Sequence, residues 1–348
     1  MTLEETLAQI KPLDKNAMDV AAKRWDSIAK PLHSLGKMEK LVIQIAGITG
    51  NPDMKIQKRA LVPMCADNGV VEEGVTQTGQ EVTAIVAENF LSGDTSACVM
   101  SRQCGTKVIP VDIGMAVDTP RVEKRKIAYG TKNMTKEPAM TRAQAVAAIE
   151  AGIAKAQELK NLGYELLATG EMGIGNTTTS SAVTAALLQC EAEEVTGRGA
   201  GLTDQGLTRK QQVVRTALET YDLWHADAFT VLQTVGGLDI AGLTGMCIGG
   251  ALWHIPIVLD GVISMAAALV AERLFPGVRE YLLPSHLGKE PAAVKLADAL
   301  RLFPVIHAEM ALGEGTGAVM MFTLLDMAMS IYGQSATFSE IEVEQYRR

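Results

Sequence analysis

The chain contains no C-x-x-C pair, no long Lys/Arg run, no H-x-x-x-H spacing and only 12 prolines among its 348 residues. Each shortage excludes a class of function. The five cysteines, Cys65, Cys98, Cys104, Cys190 and Cys247, are scattered and odd in number, which suggests neither a disulfide frame nor a thiolate zinc site. They read as buried thiols of a reducing cytoplasm. A net charge of −8 without clustered cations argues against a nucleic acid or an anionic membrane as partner, because neutralising phosphates needs grouped Lys and Arg. The histidines, His33, His225, His254, His286 and His307, lack metal-ligand spacing and read as structural side chains. No G-x-S-x-G elbow is present. The N-terminus, MTLEETLAQIKPLD, has neither the basic start nor the apolar core of a signal peptide and reads as a short amphipathic helix. A small molecule is the expected partner.

What is present is the composition of an ordinary globular protein, 47% hydrophobic and 21% charged, with 32 glycines. Its length allows roughly two domains of about 150 residues each. One stretch imitates a membrane span: Ile240 to Leu259 has no Asp, Glu, Lys or Arg. Its flanks are Asp239 and Asp260 rather than cations, and Pro256 divides it, so it reads as a buried helix followed by a central strand.

Apolar runs closed by a glycine turn recur between helical patterns: "RALVPMCADNG" from Arg59, "TKVIPVDIG" from Thr106, "YELLATGEMGIG" from Tyr164 and "WHIPIVLDG" from Trp253. Helical segments intervene at Gln80 to Leu91, Thr141 to Leu162, Thr178 to Cys190 and Gly261 to Leu274. This alternation predicts an α/β protein with a doubly wound parallel sheet, which binds its ligand outside the carboxyl ends of the strands. Those ends read Asp67-Asn68-Gly69, Asp112-Ile113-Gly114, Gly170-Glu171-Met172-Gly173 and Asp260-Gly261. Helical material at both chain ends forms any second domain, with the N-terminal helices meeting the Asp326 to Ile331 region.

Three glycine clusters carry candidate chemistry. In "GEMGIGNTTTSS" the turn Gly173-Ile174-Gly175-Asn176 follows a strand and precedes a helix begun by Thr177 and Thr178. Free amides at a helix start favour an anion, and Asn and Thr are also good N-caps, so phosphate cradle and plain cap both fit. The turn lacks the Lys of a phosphate loop and the spacing of a dinucleotide fingerprint. "TGRGAGLTDQGLTRK" adds Gly199 and Gly201 with Lys210 nearby, and a phosphate held by both clusters would gain geometry and charge together. In "MALGEGTGAVMMF", Glu314 lies between Gly313 and Gly315. A carboxylate in so apolar a setting is partly desolvated and suited to proton transfer, whereas a Glu beside Gly also occurs as a solvated turn residue. The presence of Glu171 as a second such glutamate favours chemistry.

Taken in order, "KPLHSLGKMEKL", "CADNGVVEEGVTQTGQEVTA", "GEMGIGNTT", "GRGAGL…RK", "LDG" and "LGEGTGA" resemble the motifs of the nicotinate-nucleotide:dimethylbenzimidazole phosphoribosyltransferase family, over nearly the whole chain. The resemblance implies a parallel-sheet Rossmann-like large domain, residues 50–290, and a small helical domain from both ends, residues 1–49 plus 291–348. It also implies a cytoplasmic homodimer whose active site the neighbour completes, and a reaction needing no metal or other cofactor. That reaction moves ribose 5-phosphate from nicotinate mononucleotide to a nitrogen of an aromatic base. By resemblance Glu314 is the general base and Glu171 sits near the ribose. Gly173, Gly175, Asn176, Thr177, Thr178, Gly199, Gly201 and Lys210 hold the 5′-phosphate, and Gln77, Thr78, Ile85 and Leu312 are candidates for the acceptor slot. The chain departs from the family at Asn68, where a histidine is common, and at Thr76 to Gln80. These departures leave a purine or a phenolic acceptor open, the latter with a non-identical partner subunit, and also a non-catalytic nucleotide-binding subunit. The retained Glu314 favours a competent enzyme.

Overall fold

The computed structural model describes residues 10–346. The expected N-terminal helix lies mainly outside them; within them Ile10 to Leu13 are irregular. Two helices come first, α1 (Lys15–Ser27), capped by the Asp14 carboxylate on the Ala17 amide, and α2 (Lys37–Thr49). Strand β1 (Arg59–Ala66) follows, then α3 (Glu81–Ser92), α4 (Ser96–Gln103) and the short strands β2 (Lys107–Val108), β3 (Val111–Gly114) and β4 (Glu123–Lys124). After α5 (Arg142–Asn161) come β5 (Leu166–Met172), α6 (Asn176–Leu188), α7 (Ala192–Val195), α8 (Asp204–Thr220), α9 (Ala228–Val235) and α10 (Leu238–Leu252). The chain continues through β6 (Ile257–Leu259), α11 (Val262–Leu274), β7 (Leu282–Pro284), α12 (Ala292–Leu300) and α13 (Thr316–Gln334).

All strand pairs are parallel, in the order β4-β3-β1-β5-β6-β7, with β2 also on β1. β1 is buried along its whole length, as a strand covered on both faces must be. The run "TKVIPVDIG" forms two strands instead of one, because Pro110 has no N–H for a ladder. β1 changes partner at the same level, pairing Leu61 with Val108 and then Met64 with Val111, so its own Pro63 falls at the break. From β1 the chain winds outward to β3 and β4, then returns to add β5, β6 and β7 on the other side. The order therefore reverses between β1 and β5, which puts the topological switch point at the strand ends Asp67-Asn68 and Glu171-Met172-Gly173.

The uncharged stretch that imitates a membrane span divides into α10 and β6, both buried throughout. Its glycines serve helix packing: a Cβ on Gly245 would lie 2.0 Å from the Ile149 carbonyl oxygen of α5, and one on Gly152 would lie 2.0 Å from that of Gly242. Among the described residues α13 is the helix long and apolar enough to cross a membrane by length and composition, and half of its apolar window is buried against the core. Arg59, buried at the start of β1, grips α13 by bonding both oxygens of Asp326 at 2.8 and 2.6 Å. Farther along α13, the Arg24 guanidinium of α1 donates to the Tyr332 carbonyl and Trp25 packs on the Tyr332 ring. The N-terminal helices thus reach the end of α13, just past the Asp326 to Ile331 region.

Candidate active site

At the carboxyl ends of β5 and β6 a cavity of about 300 Å³ opens, bounded by the turn after β5, the first turn of α11 and the loop before α13. A smaller hollow of about 140 Å³ adjoins it on the far side of Thr177. Three glycine-bearing loops from distant parts of the sequence meet here: Gly173 and Asn176, Gly199 and Ala200, and Gly313 and Glu314 all line the main cavity.

The hollow has a buried cation at its wall. Lys210 of α8 is 1% exposed, and its ammonium donates to the Thr177 hydroxyl at 2.7 Å at the start of α6. Burial pushes its pKa down to about 8, with only the Glu290 carboxylate opposing. An ammonium has three donors, and the Thr177 hydroxyl takes one of them. Gly199 makes the approach possible, because its φ is +52° and a Cβ there would lie 2.9 Å from the Thr177 hydroxyl and 3.4 Å from the ammonium. α6 starts from Gly175 with no side-chain cap, and its Asn176 and Thr178 amides donate to the Gly173 and Gly175 carbonyls at 3.0 and 2.9 Å.

Across the cavity stand the acids. Burial raises Glu171 to about 7; the Asn176 hydrogen bond opposes this and the nearby Asp260 and Glu314 charges reinforce it. The Asn176 amide nitrogen donates to Glu171 Oε2 and, at 3.0 Å, to Asp239 Oδ2. Asp239 is fully buried at the start of α10 and burial raises it likewise to about 7. One amide thus bridges two carboxyls, each of which protonates near neutrality.

Glu314 sits in a left-handed backbone at φ +61°, between Gly313 at +86° and Gly315 at +93°. Such a conformation costs a non-glycine residue about 1–2 kcal/mol, so neighbouring contacts must hold it. Asp260, at the end of β6, supplies them. Its Oδ2 accepts the Gly315 amide at 3.1 Å, and its Oδ1 accepts those of Gly317 at 2.8 Å and Ala318 at 3.2 Å, capping α13 where no residue of the loop does. Burial nonetheless wins over these amides and raises Asp260 to about 6. The Glu314 N–H points at Glu171 Oε1, 3.3 Å away, and the Glu314 carboxylate accepts the Ala97 amide of α4 at 2.9 Å.

The remaining sequence candidates divide. Leu312 lines the cavity at its rim and is 54% exposed. Ile85 is 57% exposed and turned outward; the next residue, Val86, lines the cavity, since one step along α3 rotates a side chain by about 100°. Gln77 and Thr78 line the anion hollow instead of the apolar wall, and Gln77 bonds the Gly201 carbonyl. Thr178 is completely buried, its hydroxyl has no partner and it lines neither cavity, whereas Thr177 lines both. Asn68 lies behind the turn, its amide toward the Ile174 carbonyl and its oxygen near the Thr179 hydroxyl.

Several residues at the site carried no assigned role in the sequence reading: Asp239, Asp260, Ser264 and His286. His286, read there as structural, is buried, lines the cavity and bonds Ser285 through Nδ1, and burial lowers its pKa so that the ring is neutral. An acid that ends an otherwise uncharged buried strand, as Asp260 does, was the available signal.

A phosphoribosyltransferase family profile matches residues 10–343. The chain is 45% identical over 349 residues to the nicotinate-nucleotide–dimethylbenzimidazole phosphoribosyltransferase of Ruminiclostridium cellulolyticum, covering 100% of this chain and 99% of the relative. It belongs to that family. With the enzyme of the same name from Acetivibrio thermocellus it shares 46% identity over 347 residues, 99% of each chain. The crystal structure of nicotinate-nucleotide–dimethylbenzimidazole phosphoribosyltransferase from Thermus thermophilus superposes with a TM-score of 0.89 at 36% identity, covering 96% of this chain and 100% of that one. Family membership agrees with the motif resemblance, and the parallel α/β sheet is the fold of this phosphoribosyltransferase family.

Proposed function

We propose that the chain transfers the 5-phosphoribosyl group from nicotinate mononucleotide to a ring nitrogen of a benzimidazole-type base, in assembly of a cobamide nucleotide loop. The bond from C1′ to the pyridinium nitrogen breaks and its electron pair returns to the ring, which leaves as nicotinate with a neutral nitrogen. The acceptor nitrogen bonds C1′ from the opposite face, giving the α-ribotide, and the acceptor's N–H proton passes to Glu314. Because the leaving group is already good, the protein needs chiefly to orient the two rings and accept one proton. Glu171, at the ribose, faces the cationic ring.

The names of the relatives support this reading, and one observation carries it: Glu314 and Glu171 open on the same cavity as the Thr177 end of the Lys210 hollow. The 5′-phosphate occupies the hollow, bound by the Lys210 ammonium, the Thr177 hydroxyl and the backbone of the Gly173 to Gly175 turn, with Gly199 leaving room beside Thr177; the Asn176 and Gly201 amides already donate to the Gly173 and Arg198 carbonyls and so shape the turns instead of binding the anion. The acceptor lies on the apolar wall of Val86, Met172, Ile174, Met310 and Leu312. Aliphatic and thioether side chains select a flat apolar ring more than a particular heteroatom pattern, so acceptor choice is a matter of shape. The protein works as a cytoplasmic homodimer. This is supported by the apolar residues exposed near the cavity rim, Leu312 and, on the outer face of α13, Met320 and Met327.

The test is nicotinate release from nicotinate mononucleotide by the purified chain, without added metal, across dimethylbenzimidazole, adenine and phenol acceptors. Dimethylbenzimidazole is expected to give the highest kcat/KM. No release with any acceptor would contradict the reading.

A further inference from the structure

Asn176 lines both the main cavity and the hollow beside Lys210, and its side-chain nitrogen stands between two carboxyls. Glu171 opens on the cavity, whereas Asp239 lines neither space and is fully buried in the first turn of α10. Asp239 is held closely all the same. Its Oδ1 accepts the Ile240 amide at 2.9 Å and its Oδ2 accepts the Asn176 side chain at 3.0 Å. A Cβ on Gly173 would lie 2.5 Å from Oδ2, and one on Gly237 would lie 2.3 Å from Oδ1, so two glycines make room for this carboxyl. A buried acid that lines no cavity acts on the site through its neighbour.

A carboxamide has a nitrogen that only donates and an oxygen that only accepts, and an ionised carboxyl only accepts. While Asp239 is ionised, the atom turned toward it must be the Asn176 nitrogen, and the same nitrogen reaches Glu171 Oε2. That bond favours the ionised form of Glu171. With Asn176 reversed, its oxygen would accept from a protonated Glu171 and keep it neutral. Most of what surrounds Glu171 presses the same way: burial first, then the charges of Asp260 at the end of β6 and Glu314 in the loop before α13. From β1 the Cys65 thiol brings no charge, since burial pushes its pKa up, and the His286 ring on the cavity wall is neutral. Besides Asn176, the Glu314 amide supports the carboxylate.

We infer that Asp239 is a positioning residue: it holds the Asn176 side chain with its nitrogen toward Glu171 and so keeps Glu171 ionised to face the cationic ring. The inference rests on the proposed function for what Glu171 faces, and on the hydrogen bonds for the orientation.

Asp239→Asn, nearly isosteric, tests it by the sign of the effect. Removing a negative charge beside Glu171 would by itself lower the pKa of Glu171. An asparagine, however, keeps only one acceptor oxygen. The backbone amide of Ile240 cannot turn away, so that oxygen stays on it, and the new NH2 faces Asn176, which reverses and offers Glu171 its oxygen. The titration of Glu171 is followed by carbon NMR of labelled glutamate carboxyls, assigned with Glu171→Gln, alongside the pH dependence of kcat at saturating nucleotide. The Glu171 midpoint is expected to rise by about one pH unit or more, the worth of one hydrogen bond to a charged group. The acid limb of kcat moves with it, so kcat at about pH 7 falls roughly fivefold to tenfold and recovers toward about pH 9, which a packing defect would not do. Asn176→Ala, which removes the oriented amide and leaves Asp239 in place, should raise the midpoint too, and Asp239→Asn added to it should then lower the midpoint, only the charge effect being left. A midpoint unchanged or lowered in Asp239→Asn, or unchanged in Asn176→Ala, would overturn the inference, and the second variant decides even where the first does not fold. Absence of turnover by the parent would instead sink the proposed reaction, with the NMR titration still deciding the orientation.

Discussion

Lys210→Met separates what Lys210 does for the substrate from what it does for the fold. In the free protein the ammonium is buried with Thr177 as its hydrogen-bond partner, and its pKa falls from the ordinary 10.5 to about 8. At about 1.4 kcal/mol per tenfold change in proton affinity, the buried charge costs roughly 3 kcal/mol at pH 7. Losing the bond to Thr177 returns about 1 kcal/mol, so the methionine variant is more stable than the parent by roughly 2 kcal/mol. The sign follows from the proton count. Below pH 8 the lysine is charged in both states and the folded state carries the full cost. Between about pH 8 and 10.5 the folded form releases its proton first, the parent gains stability, and the advantage of the variant fades. Function moves the other way: without the cation the 5′-phosphate loses a charge-assisted contact, and KM for nicotinate mononucleotide rises about a hundredfold. Thermal melts from pH 6.5 to 10 without ligand, with kinetics at pH 7, decide the matter. A variant less stable than the parent at pH 7, or one with unchanged KM, would refute the reasoning.

Asp260→Ala removes the acceptor of the Gly315, Gly317 and Ala318 amides, so it should destabilise by about 3 kcal/mol and, by releasing the Glu314 loop, lower turnover about a hundredfold. Asp260→Asn, which retains one acceptor oxygen, should recover part of both, and equal loss in the two variants would argue against a clamp. Burial raises Glu171 and Asp239 to about 7 and Asp260 to about 6, so the folded state holds protons that the unfolded chain has released. The stability these groups contribute is full below the ordinary carboxylate range and is lost as pH rises through 6 to 7, so the thermal midpoint should fall between about pH 5 and 8. A midpoint that rises across that window would contradict the burial argument. Gly245→Ala drives a methyl into the Ile149 carbonyl, 2.0 Å from its Cβ position, and should cost about 3 kcal/mol in a denaturant titration; a neutral result would mean that α5 and α10 can separate freely.

Much of the architecture is legible in the sequence because its signals are local. A long apolar run closed by glycine specifies a buried strand and its turn, which is why β1, β5 and β6 fall where the pattern places them. Pro110, also local, explains the division of the run at Thr106. The site is legible at its glycines and at Glu171 and Glu314, where a charged residue interrupts small or apolar neighbours. Other parts depend on convergence that no local pattern carries. Asn176 meets Asp239 from 63 residues away, and Asp260 meets Gly315 from 55, so neither acid announces a role within its own segment. The exchange of Ile85 for Val86 is of another kind: a single helix step chooses the inward side chain, and the apolar pattern of α3 leaves the two alike. Ser264 is hidden for a third reason, since an orphan hydroxyl is defined by the absence of neighbours, which only three dimensions reveal.

The central claim is that Glu314 takes the acceptor's proton in a cavity that holds the nucleotide independently of it. Single-turnover nicotinate release by Glu314→Gln, with nucleotide affinity measured on the same sample, tests it most directly. The account predicts a fall in rate of about a hundredfold to ten-thousandfold, the range for losing a general base, with affinity for nicotinate mononucleotide within about twofold of the parent. A variant that releases nicotinate at the parent rate, or that loses nucleotide binding together with turnover, would contradict it.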